Sequence, residues 1–202
     1  MNNADPSAAS PNRNRNRVML LGIFAIFFGS LVVAGVLRFS GWRPEGMKNK
    51  GELLQPPADL RGSTPTLLDG SAYVWAPVNR TWRIALAPPA DCGAECTQAT
   101  QDIHKVWALL GREAARVDVL WLCPATPCAL PAGAPKLANL RLLKADADLR
   151  AKLPNVDAVA HGSGRGVPVY VIDPNGFVIL RYAAGSDPGG LRSDLAKLLK
   201  LK

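Results

Sequence analysis

The chain has 202 residues, 24 Lys plus Arg against 16 Asp plus Glu, a net charge of +8 and 48% apolar residues. That length suits one ordinary domain with extensions, and an apolar fraction near one half with 20% charge excludes a disordered chain. Five Trp, three Tyr, five Phe and two His are too few for a nucleic-acid stacking surface or a multi-histidine metal centre.

Residues 1–17 are mostly Asn, Ser, Ala, Pro and Arg without periodicity, which predicts a short disordered cytoplasmic tail. Residues 18–37 hold 16 apolar residues, three Gly, one Ser and no charge. A helix of that length spans about 30 Å, the hydrocarbon thickness of a bilayer, which predicts a transmembrane helix. A cleaved signal peptide has a shorter apolar core and a small-residue cleavage site; here Arg38-Phe-Ser-Gly-Trp42 follows instead. Arg13, Arg15 and Arg17 precede the span while Arg38, Arg43, Lys48 and Lys50 follow it, so charge alone barely orients it. Residues 51–202 carry 17 basic and 14 acidic side chains, so most of the positive excess flanks the span. That distribution fits lipid headgroups as partner and not nucleic acid.

Residues 38–60, with Gly41, Pro44, Gly46, Gly51, Pro56 and Pro57, read as a tether, leaving 61–202 as the folded domain. Within it, 72–75 and 82–87 read as strands and 95–110 as a helix with Ile103, Val106 and Leu110 on one face and Gly111 as its stop. A strand at 117–122 and a shorter one near 139–143 come next, then a short helix over 146–153, which Asp146 and Asp148 open. Residues 169–172 and 177–182 flank Asp173-Pro-Asn-Gly176 as a hairpin, and a last helix after Pro188 puts Leu191, Leu195, Leu198 and Leu199 on one face. This order predicts an α/β domain with a mixed central sheet.

Cys92 and Cys96 lie after a strand and open a helix, where unpaired N–H groups and partial positive charge stabilise a thiolate. A spacing of four brings their Cα atoms to about 6 Å, within disulfide reach and also suited to two soft ligands for copper(I). Asp91 and Glu95 oppose the thiolate by charge. A structural disulfide at this corner is the plain alternative. Cys123 and Cys128 flank Pro-Ala-Thr-Pro, which suits a local structural bridge; a relay partner for the first pair, or a second metal site, is the other reading. Four Cys that pair within one small domain suit an oxidising compartment and place it outside the cytoplasm.

From Thr66-Leu-Leu-Asp-Gly70 through Thr81-Trp82, Cys92-x-x-x-Cys96 and the helix to Val106-Trp107, and again at Tyr170-Val-Ile-Asp-Pro-Asn-Gly176, the chain resembles the Sco/SenC family. The resemblance implies a thioredoxin-like fold behind one membrane anchor. It also implies a bacterial inner-membrane protein with a periplasmic domain that serves cytochrome c oxidase assembly, handing copper(I) to the copper-binding subunit or reducing its cysteines. Gly93 and Thr97 stand where that family carries Pro after each Cys, and Arg165 stands where it carries its His ligand. The nearest substitute is His161, so the candidate metal set is Cys92, Cys96 and His161; His104 is expected to face away from the pair. The stretch Arg165-Gly-Val-Pro168 resembles the thioredoxin loop that sets a cis-proline against the active cysteines, which adds Pro168 to Cys92 and Cys96 as a catalytic candidate. A general periplasmic thiol–disulfide oxidoreductase of cytochrome c maturation, acting on another thiol-containing client, and a non-catalytic scaffold with two inert disulfides are the rival functions.

Overall fold

The computed structural model describes residues 11–40, 49–157 and 166–200, in two compact units, 1–48 and 49–202. The first unit contains α1 (Pro11–Phe39), 29 residues with Arg38 in its last turn. At 1.5 Å per residue it is about 43 Å long, and its apolar side chains are exposed along its length, as expected of a helix that meets lipid. The helix begins inside the segment expected to be a tail. Extending a helix past an established apolar run adds one hydrogen bond per residue and needs no new nucleus. Residues 1–10 lie outside the described residues.

The second unit is a six-stranded mixed sheet: β1 (Glu52–Asp59), β2 (Trp82–Leu86), β3 (Val117–Leu122), β4 (Leu140–Leu143), β5 (Val169–Ile172) and β6 (Phe177–Tyr182). The strand order is β1-β6-β5-β2-β3-β4, with β2, β3 and β4 parallel and the other pairings antiparallel. α2 (Ala94–Leu109) connects β2 to β3, α3 (Ala147–Ala151) follows β4, and α4 (Pro188–Leu198) ends the domain. Strand β2 is buried at every residue, as a central strand covered on both faces must be. The predicted thioredoxin-like α/β architecture is the one found.

Two expectations are corrected. The tether does not run to residue 60, because its second half forms β1, the edge strand against β6. Pro56 and Pro57 fall where the register shifts between Leu53 and Ala58, and an edge strand tolerates residues that cannot donate to a ladder. Residues 41–48 lie outside the described residues. The expected strand at 72–75 is loop with a single bridge, Thr66↔Ala72. Its alternation is real but serves another purpose: Tyr73 and Trp75 are buried against the sheet while Val74 is 66% exposed.

The sheet separates two cores. On one face Ile84, Leu86, Val119, Trp121 and Val171 pack with Ile103 and Val106 of α2 and Leu191 and Leu195 of α4. On the other, Ala85, Leu120, Tyr170 and Ile172 meet Leu60, Tyr73, Trp75 and Leu149. Period-two alternation along β2, β3 and β5 sends neighbours to opposite cores.

Candidate functional site

Cys92 and Cys96 form a disulfide with Cα atoms 5.6 Å apart. Strand β2 delivers the chain to this point, and Pro88 and Pro89 end it. Cys92 then precedes the helix by two residues, Gly93 is the N-cap, and Cys96 lies in the first turn with its N–H donating to the Gly93 carbonyl at 3.2 Å. Gly93 brings no side chain of its own to cap this end, and the positive end of the helix dipole lies next to the bridge. The two sulfurs are unequal: Cys92 is half-buried, whereas Cys96 is 4% exposed and belongs to the core. Glu95, in the first turn, is exposed and opposes negative charge there. Cys96, Thr100, Ile103 and Val106 form the buried face of α2; His104 is off that face and partly exposed.

Pro168 is buried, and its carbonyl accepts the Ala87 N–H at 3.2 Å, which ties its loop to the chain five residues before Cys92. Val167 joins the same buried cluster as Cys96. The expected cis bond is not there. Among the described residues the cis peptides are Gln55–Pro56 and Thr126–Pro127. Residue 168 instead enters β5 directly and extends its antiparallel ladder with β2, which a trans peptide serves. Gly166 packs closely enough on the turn after β6 that a Cβ there would meet Ala184 Cβ at 2.7 Å. His161 and Arg165 lie outside the described residues.

A groove of about 480 Å³ runs between α2, the 166–169 loop and the turn that leads from Tyr182 to α4. Its walls are mainly apolar, with Glu95, Asp102 and Asp187 as carboxylates. Ala94 and Glu95, which lie between the two cysteines in the chain, are part of its lining; the cysteines themselves are not.

The second bridge joins Cys123 and Cys128, with Cα atoms 5.5 Å apart. Cys123 follows directly on β3, is 5% exposed and donates its N–H to the Leu143 carbonyl at 3.0 Å; Cys128 is half-buried. Among the described residues no group of three or more His, Cys, Asp or Glu is placed to hold a metal ion.

Of three buried charged residues among those described, Arg83, Arg181 and Asp194, the two least exposed form networks that escaped sequence reasoning. Arg83 is 2% exposed and directs Nη2 to the Trp75 carbonyl (2.7 Å), Nη1 to those of Asp173 and Pro174 (3.2 and 3.1 Å), and Nε to the Tyr73 hydroxyl (3.0 Å). That hydroxyl donates to Asp118 Oδ2 at 2.8 Å, and burial pushes its pKa up to about 12. Asp194, also 2% exposed, accepts from the backbone N–H groups of Lys50 and Gly51, the Tyr182 hydroxyl and Lys197 Nζ. Burial alone would raise its carboxyl, but these donors outweigh it and hold the group below its ordinary value. Burial, reinforced by that carboxylate, pushes the Tyr182 phenol far up. Both charges were visible as ions inside apolar patterns: Arg83 in the strand Trp-Arg-Ile-Ala-Leu, Asp194 in the stripe of Leu191, Leu195 and Leu198.

The chain matches no curated protein. Among solved structures it is similar to BsSco, a member of the Sco family of cytochrome c oxidase assembly proteins, at 16% identity and a TM-score of 0.50, covering 76% of this chain and 97% of that one. A SCO1/SenC family lipoprotein from Bacillus anthracis str. Ames aligns at 20% identity and a TM-score of 0.51, covering 73% and 97%. A putative protein disulfide isomerase from Bacteroides thetaiotaomicron aligns at 21% identity and a TM-score of 0.51, covering 74% and 89%. Identities this low speak to the fold, in which Sco proteins and a disulfide isomerase stand equally near. The family model described as a transmembrane-like, thioredoxin-like C-terminal domain matches residues 82–202, three fifths of the sequence, and the chain belongs to that family.

Proposed function

We propose that this is a membrane-anchored thiol–disulfide exchange protein whose reacting pair is Cys92 and Cys96, with its folded domain in the periplasm of a bacterium. The observation that carries the reading is the asymmetry of the pair: one half-buried and one buried sulfur at the start of a helix, with a groove lined by the two residues Ala94 and Glu95 that lie between them in the chain. In the reduced protein the Cys92 thiolate attacks a client disulfide, forming a mixed disulfide and releasing one client thiolate. Cys96 then attacks the Cys92 sulfur, which frees the second client thiol and leaves Cys92–Cys96 oxidised. The structure describes that oxidised end state. Pro168 takes a positioning part here, since its carbonyl fixes the approach to Cys92 through Ala87.

The motif resemblance to Sco/SenC proteins makes the copper-receiving subunit of cytochrome c oxidase the proposed client, and α1 would keep the domain at high effective concentration near a membrane-embedded partner. Copper(I) handover is a second reading. Two soft donors with Cα atoms 5.6 Å apart favour it, and His161 would be the third ligand. The discriminating experiment titrates full-length protein in detergent against glutathione, then offers copper(I) to the reduced form. Exchange requires that Cys92–Cys96 titrate and that Cys92→Ser abolish turnover of a model disulfide, a loss of more than about 100-fold. Cys96→Ser should accumulate the mixed disulfide. A pair that stays oxidised in excess reduced glutathione overturns the exchange reading. Copper(I) retention that is lost in Cys92→Ser and weakened in His161→Ala turns it toward handover.

A further inference from the structure

The second disulfide has no part in that reaction, yet its surroundings are not those of an inert staple. All four sulfurs share one core: Cys96 and Cys123 lie in the same buried cluster, and Cys92 and Cys128 pack against it. The topology imposes this. β2 and β3 are parallel neighbours, in register from Trp82↔Val117 to Leu86↔Trp121, so both chains leave the sheet at the same end. Neighbouring strands lie about 4.8 Å apart. Cys123 comes directly after β3, and Cys92 six residues after β2. Arg150 couples the two loops, since it lines a cleft with Cys123 while its Nη1 donates to the Pro88 carbonyl at 3.0 Å, four residues before Cys92.

The pairs also have the same internal asymmetry, one buried sulfur and one half-buried. Each has its own opening. The cleft at the second pair, about 270 Å³, is bordered by Cys123, Pro124, Lys144, Asp146 and Arg150, and it shares no lining residue with the groove beside α2. Its charges are mixed: Lys144 and Arg150 border it with Asp146, and Arg150 pairs with Asp157 at 2.8 Å.

We propose that Cys123–Cys128 is a second redox pair, which takes two electrons from an external dithiol at the cleft lined by Cys123 and passes them to Cys92–Cys96 within the domain. The external dithiol is oxidised to its disulfide as Cys123 and Cys128 become thiols. The Cys128 thiolate attacks the Cys92 sulfur, forming a Cys92–Cys128 bond and expelling Cys96 as thiolate. Cys123 then attacks the Cys128 sulfur, restores Cys123–Cys128 and expels Cys92. Two electrons and two protons have moved, and Cys92 and Cys96 are thiols ready for a client. The inference rests on Cys92–Cys96 being the exchanging pair.

The test uses full-length protein in detergent micelles. In the double variant Cys96→Ser/Cys123→Ser, mild oxidation should join Cys92 to Cys128 in most monomers, read by peptide mass mapping; two free or separately modified thiols overturn the proposal. Should that variant misfold, oxidised wild-type protein is mixed with one equivalent of dithiothreitol, quenched in acid and alkylated for counting at each Cys. Reducing equivalents should settle on both pairs in a fixed ratio, and once the dithiothreitol is spent the redistribution between pairs should run at a rate unchanged over a ten-fold range of protein concentration. A second pair that stays fully oxidised while the first titrates, or a rate that scales with concentration, overturns the relay alone. A first pair that never titrates overturns the exchange function beneath it.

Discussion

The two faces of the sheet solve different problems. One carries the sulfurs, with α2 and α4 packed on β2, β3 and β5, a groove at its rim and a carboxylate, Asp194, closing its edge. On the other, Arg83 clamps the 60–76 segment and the Asp173–Gly176 turn onto the sheet through three carbonyls and a tyrosine, with its guanidinium 5.5 Å from the Trp75 ring centre. The faces are therefore expected to separate under mutation, one in activity and the other in stability.

The hardest test of that division is Arg83→Met. It leaves the Trp75, Asp173 and Pro174 carbonyls without their donor and strands Tyr73 beside Asp118. Unfolding in urea should register a loss of about 3 kcal/mol. Exchange per folded molecule should be unchanged; a proportional loss of exchange would mean the faces are not separable. Asp194→Asn comes next, at about 2 kcal/mol, because it removes a charge that four donors serve. Its pH signature is specific. The native carboxyl titrates below its unfolded value of 3.8, so its contribution is present above that pH and lost as pH falls through the lower native value. Wild-type protein should therefore lose stability on acidification below about pH 4 more steeply than the Asn variant, as read by thermal melts across pH 2–6. Equal slopes would remove Asp194 from the account.

The smallest expected effect is on the sulfur face. Glu95→Gln removes an exposed negative charge from the first turn of α2, which should raise exchange by about two- to five-fold while costing the helix no more than about 0.5 kcal/mol. Salt should shrink the gain, because exposed charges are screened. A rate unchanged at low salt would mean the helix terminus contributes nothing to the thiolate.

Local pattern made much of this molecule legible. The hairpin at 173–176 is shaped by its own neighbours: Asp173 Oδ1 accepts from the Asn175 and Phe177 N–H groups at 2.9 and 2.8 Å, and both flanking strands fall where alternation puts them. α2 follows its Ile103 and Val106 stripe to within a residue at each end. The Cys92–Cys96 pair was readable because its place, strand then helix start, is a matter of chain order. Pro168 illustrates the boundary: the strand that follows it was readable, but the expected cis bond was not found, and its peptide has the ordinary trans state of an X–Pro bond.

What the order of residues determined by itself is whatever a segment can do alone or with near neighbours: an apolar run long enough for a bilayer, amphipathic helices, a turn, and two Cys pairs whose short spacing permits closure. What the tertiary structure decided is whatever depends on distant chain. β1 exists only because the free edge of β6 can pair with it despite two prolines. Gly51 is required because a Cβ there would meet the Tyr182 ring at 2.5 Å, a contact across 131 residues. Arg83 and Asp194 can stay charged inside a core only because remote carbonyls and N–H groups converge on them. The two disulfides share one cluster because parallel pairing of β2 and β3 brings their ends together, and no local periodicity encodes which strands become neighbours.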